Sequence, residues 1–200
     1  MAKKYNAVTG VDEFYYGVLN ADESGIDGEA PERIKFLQNI SVEAPQEIAR
    51  AYGDNVVAEL ATSNQPVTVS SQFHKLPAED LNTLLGLEST ESGLSAYGGT
   101  DNPPYVACVF AKTHEDGSKE WVGLTKGKFM KPSQESNTKE DSVEFGNDTI
   151  EAEFIDRDVA GFTDAKSVIF GRDESGSTSV RDELFQSVFG AAHPDGPATP

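Results

Sequence analysis

Cysteine is nearly missing. A single residue, Cys108, among 200 excludes a disulfide within the chain and a zinc site built on paired thiols. It lies in the apolar string YVACVF, so it reads as a buried structural thiol. No run approaches the ~18 apolar residues of a membrane span. The start, MAKKYNAVTG, has lysines but no apolar segment after them, which predicts a cytoplasmic origin with no membrane partner. Basic residues are scarce: 16 against 34 acidic ones, for a net charge of −18. Such a surface repels nucleic acid, which excludes a groove-reading DNA binder. Catalytic signatures are also missing. There is no HExxH, GxSxG or GxGxxG, and Lys126-Gly127-Lys128 lacks the glycine spacing and Ser/Thr of a phosphate-binding loop. His74, His114 and His193 are scattered and read as polar surface residues, with no metal-ligand spacing.

What is present is organised around NQPVTVSSQFHKLPAEDLNTLLGLE, residues 64–88. Val67, Val69, Ser71 and Phe73 point one way and Thr68, Ser70, Gln72 and His74 the other, the period of a half-buried strand. Pro77 ends that ladder and suits a first helical turn. Glu79 and Asp80 favour the positive end of a helix dipole. Leu81, Leu84 and Leu85 make one apolar stripe, and Gly86 is the stop.

Residues 1–10 read as a polar arm, 11–190 as a single domain and 191–200 as a flexible tail. Residues 11–19 predict a first strand. Residues 32–42 predict a second, with an irregularity at 37–39. Residues 43–54 fit a helical turn, a loop or one side of a hairpin arm leading to a strand at 56–61. Residues 89–104 form a long loop of the kind that meets partners. Residues 105–112 and 120–129 predict a hairpin around Asp116-Gly117, with Trp121 covering the partner strand. Further strands are expected at 142–145, 149–155 and 166–170. A final helix is expected at 180–189, capped by Ser179. Many short strands and two helices predict a mainly β, antiparallel sandwich or barrel-like fold with a flanking helix and a short C-terminal helix.

Asp22-Glu23-Ser24-Gly25 and Asp173-Glu174-Ser175-Gly176 read as turns, since neither continues into a calcium loop. Glu151 and Glu153 share a strand face and read as a solvated acidic surface rather than a glycosidase pair. Lys126, Lys128 and Lys131 fit either plain solubility or a basic patch that meets an acidic sister subunit.

Four strings in order carry a resemblance: FLQNISVEAPQEIARAYGDNVVAELATS, VSSQFHKLPAEDLNTLLGLE, NPPYVACVFAKTHEDGSKEWVGLTKGKF and DELFQSVFG. With them the chain resembles the major tail proteins, or tail tube proteins, of long-tailed siphophages infecting Gram-positive bacteria. The resemblance implies a virion tail component assembled in the host cytoplasm. It implies six-membered rings, stacked around a tape-measure protein, through which double-stranded DNA passes without sequence-specific binding. Tail-completion and baseplate or distal-tail proteins are the implied neighbours. No catalysis and no cofactor are implied. On this basis Glu151, Glu153 and Asp156 are the expected lumen-facing acids. Pro45, Tyr52, Asp54, Tyr97, Asn102, Lys126 and Lys128 are the expected contacts between subunits. The competing expectation is a soluble calcium- or carbohydrate-binding β-sandwich module.

Overall fold

Residue alternation decides where the first core lies. The computed structural model describes residues 6–54, 56–132 and 146–196. Its strands are β1 (Val8–Val18), β2 (Glu32–Ile34), β3 (Leu37–Glu43), β4 (Gln46–Gly53), β5 (Val56–Asn64), β6 (Val67–Phe73), β7 (Glu88–Ser89), β8 (Ser95–Ala96), β9 (Val106–His114), β10 (Lys119–Phe129), β11 (Asp148–Phe154) and β12 (Val168–Asp173). Helix α1 (Ala78–Leu85) follows β6, and α2 (Ser179–Phe189) follows β12. The strand expected at residues 142–145 lies outside the described residues. In β6, Val67, Val69, Ser71 and Phe73 are all buried, and the residues between them are not. Ile150, Ala152 and Phe154 of β11 point the same way.

All pairings are antiparallel, in the order β2-β1-β9-β10-β11-β6-β3, with β12 also on β10. The two ends of this order, β2 and β3, are consecutive in sequence. The sheet therefore curls round until β3 packs beside β1. Residues 32–42 are thus two strands rather than the single one expected. The break falls at Lys35 and Phe36, where Phe36 adopts a positive φ of 65°. The irregularity at Leu37–Asn39 is also present, as a register shift against β6.

Inside the curl sits one core, with Phe14, Phe73, Phe110, Leu124 and Phe154 fully or almost fully buried. Helix α1 closes it with Leu84 and Leu85, and Gly86 ends the helix in the left-handed conformation. A second core lies outside the curl. The opposite faces of β1 and β9, through Tyr15, Val109 and Ala111, pack with Trp121 against Leu184, Phe185, Val188 and Phe189 of α2. Both faces of β9 are therefore covered, which is why its sequence is apolar from Val106 to Ala111 rather than alternating. A Cβ at Gly123 would come within 2.7 Å of Val188, so this glycine sets how closely α2 approaches the sheet. The N–H groups of Val180 and Arg181 donate to the Asp173 carboxylate, each at 2.9 Å. Asp173 thus caps α2 in place of the expected Ser179.

Candidate assembly surfaces

The β4–β5 hairpin carries no core residue. Among the described residues it pairs only with itself, and its described side chains are exposed. The hairpin-arm reading of residues 43–54 is the one the structure adopts. Directly paired residues of a ladder share a face. Here Ile48 faces Thr62, Arg50 faces Leu60 and Tyr52 faces Val57. One side of the arm therefore gathers Ile48, Tyr52, Val57 and Leu60, all between 48% and 68% exposed. The other side carries Ala49, Ala51 and Ala61 with Glu47 and Glu59. Pro45 lines a shallow groove at the arm's base with Asn64, Ile155 and Asp156. Asp54 stands at its tip with φ 50°. Sequence reasoning selected Tyr52 but missed Ile48, Val57 and Leu60. The signal was there in alternation, but IARAY breaks no rule of helical spacing over so short a length.

A second surface is the solvent side of β10, β11, β6 and β3. Three registered rows cross it: Lys128–Glu153–Thr68–Glu43, Glu151–Ser70–Ser41 and Thr149–Gln72–Asn39. Every side chain in these rows is polar, and the charges are three glutamates against one lysine. Glu151 and Glu153 thus stand together and exposed. Asp156 lies past the strand end, beside the arm's base, away from the rows.

The lysines are engaged within the chain. Lys126 pairs with Glu23 at 2.5 Å and lies over the Tyr105 ring. Lys128 lies over the same ring and donates to Asn102 Oδ1 at 2.8 Å. Lys131 sits over Tyr97 and reaches Asp101 and the Gly98 carbonyl, both at 2.9 Å. The Lys131 ammonium is one reason the Asp101 carboxyl is held below its ordinary range. Together they staple the loop between β8 and β9 to the sheet and leave Leu94 and Tyr97 exposed beside it. Within this loop stretch, Glu88–Ser89 and Ser95–Ala96 form a two-stranded ribbon.

Two histidines depart from the surface role expected of them. His114 is buried, with Nδ1 3.1 Å from the Asn6 carbonyl. His193 is buried in a box made by Tyr15, Trp121 and Phe185. Residues 191–196, expected to belong to a flexible tail, are therefore tied to the second core. The Asp195 N–H donates to His193 Nδ1 at 3.1 Å, which leaves the proton of the neutral ring on Nε2. That atom points at the Glu13 carboxylate, 3.6 Å away. Burial lowers the His193 pKa, and the Arg181 cation lowers it further. The string at Asp22 is occupied internally, with Ser24 donating to Asp22 at 3.1 Å and Glu23 held by Lys126. Burial pushes the Cys108 thiol up, so it stays uncharged.

The comparisons with known proteins follow this geometry. No curated protein matches the sequence. A solved chain from an extracellular contractile injection system, in the cryo-EM structure of the PVC sheath-tube complex in its extended state, is similar at 12% identity with a TM-score of 0.44. The similarity covers 80% of this chain and 88% of that one. Residues 17–195 match the model of a family described as phage tail tube protein. That span takes in the curled sheet from the end of β1 onward, the exposed arm and both helices, and so the chain belongs to the phage tail tube protein family.

Proposed function

We propose that this tube subunit, a structural and non-enzymatic part of the virion tail, closes into six-membered rings. The rings stack around a tape-measure protein and conduct DNA during ejection. The observation that carries the reading is the arm. A lone two-stranded hairpin is marginal in water. This one also presents five large apolar side chains, Ile48, Tyr52, Val56, Val57 and Leu60, that the chain itself leaves uncovered. Burying each contributes ~1.5–3 kcal/mol, and a neighbouring copy is the partner a repeating tube supplies. Tail-completion and baseplate proteins would terminate the stack. The four sequence strings support a siphophage of a Gram-positive host.

The polar rows through Glu151 and Glu153 are the proposed lumen wall. Duplex DNA carries one negative charge per ~1.7 Å, and screening confines wall effects to ~8 Å. A wall of glutamates and hydroxyls repels the duplex and offers no base a stacking surface. Asp156 is proposed to stand on the contact side, near the arm's base. Reversing Glu151 and Glu153 to lysine would spare tube formation and slow DNA release; unchanged release would take these rows off the lumen.

Negative-stain micrographs of concentrated protein test the main reading, with rings and tubes as the expected result. A monomer at every concentration, with a melting temperature that rises with calcium or sugar, would instead favour the binding module.

A further inference from the structure

We propose that the apolar face of the β4–β5 arm docks on residues 155–170 of a second copy, with Arg50 answering the aspartates there. The inference rests on the tube reading and specifies its contact. The arm's apolar face carries a single charge, Arg50, although the chain holds twice as many acids as bases. Its acids, Glu47 and Glu59, lie on the opposite side. The complementary surface is therefore apolar with an acidic rim.

Three exposed apolar groups compete for that role. Phe36, 72% exposed, stands among Arg33, Lys35, Asp12 and Glu13, and both of these acids are already paired, Asp12 with Arg33 and Lys119 and Glu13 with Lys119. Leu94 and Tyr97 belong to the loop stapled by Lys128 and Lys131, where Asp101 is already paired with Lys131. Residues 155–170 differ in their acids. Ile155, Phe162 and Phe170 are 39%, 47% and 74% exposed. Asp156 and Asp158 are exposed beside them and carry no ion pair among the described residues. Asp164 has only Lys166, at 3.9 Å. Among the described residues strand β12 pairs with β10 alone, so its outer edge has no partner strand there.

The geometry makes this contact head-to-tail. Arm face and receptor are different surfaces of the same chain, so each copy both gives and receives. Such heterologous contacts close into rings or run on as helices, whereas arm-to-arm pairing would stop at a dimer. An eight-residue strand reaches ~27 Å, beyond the ~16 Å radius of gyration of a domain this size. The arm is long enough to span to a neighbour.

Mixing two blunted proteins tests the proposal. One carries Ile48→Ser and Leu60→Ser, the other Phe162→Ser and Phe170→Ser. All four sites are exposed, and melting temperatures check that both variants fold. Each alone should sediment as a monomer where the unmodified protein assembles. Mixed, they should form one-to-one dimers, because one intact arm meets one intact receptor and growth then stops. Arg50→Glu should also abolish assembly, and adding Asp156→Lys and Asp158→Lys should restore it. Normal tubes from the Phe162/Phe170 variant, or no dimer on mixing, would overturn the contact and leave the tube reading standing. Failure of the unmodified protein to form rings would sink both.

Discussion

The chain holds two long antiparallel hairpins whose fates are opposite. In β9–β10, residues 106–111 and 121–125 are buried without a break, and Trp121 and Phe110 lie in different cores on either side of the same ladder. In β4–β5, no described side chain is buried. Both have the strand geometry and both contain large apolar residues. The difference is where the covering surface comes from: the same chain for one and, in the assembly proposed above, another molecule for the other. Burial energy in the first stabilises the monomer. In the second the proposal holds it back until subunits meet. On that reading tube assembly resembles the final step of folding, made intermolecular.

Truncation separates the two hairpins. Phe110→Ala should cost ~3–5 kcal/mol, a large share of a total domain stability of the order of 5–15 kcal/mol. Leu60→Ala should change monomer stability by no more than ~0.5 kcal/mol while weakening assembly strongly. Denaturant melts of both, beside micrographs, check the pair. Equal losses of monomer stability would show that the arm packs on its own domain. Between these extremes stand Leu84→Ala and Leu85→Ala. Both residues are fully buried under α1 and should each cost ~2–5 kcal/mol; unchanged melting would show that α1 covers nothing.

The arm and the core were unequally legible in sequence. VTVSSQF, TIEAEF and the β9–β10 hairpin announced themselves because alternation or a continuous apolar run, with Asp-Gly between, has one physical reading. IARAY did not. Five residues with Pro45 before them fit a turn of helix as well as a strand, and only pairing with residues 56–64 decides. The break at Phe36 was unreadable for another reason. Nothing local favours a positive φ at phenylalanine; the curl of the sheet imposes it. His193 was lost to composition, since HPDG looks like a tail until Tyr15, Trp121 and Phe185 are brought round it. The lysines were visible as a cluster, but their tyrosine partners sit 21 to 34 positions away and come together only in the fold.

The second core has its own chemical handle, and the arm has none. Removing the cap with Asp173→Ala should cost ~0.5–2 kcal/mol, seen as a lower melting temperature with little change in tube yield. The effect of pH is smaller and more diagnostic. His193 is neutral in its box, with a folded pKa below its ordinary 6.5. The unfolded chain therefore binds this proton more readily than the folded one, and stability rises with pH in that window. The contribution is complete above 6.5 and is lost as pH falls from there toward the folded value. Glu13 and Asp195 oppose the shift and Arg181 reinforces it, so the slope is modest. The Asp148 carboxyl behaves on the same side but lower. Burial raises it, yet the Leu76 N–H and Lys75 outweigh this, so its stabilisation persists above its ordinary 3.8 and fades only below. The His193 window opens downward from 6.5 and the Asp148 window from 3.8. His193→Gln should flatten the melting curve against pH just below 6.5 and leave the acid limb unchanged. A slope that survives the substitution would place the titrating group elsewhere, since Tyr15, pushed up to about 12 by burial, is silent there.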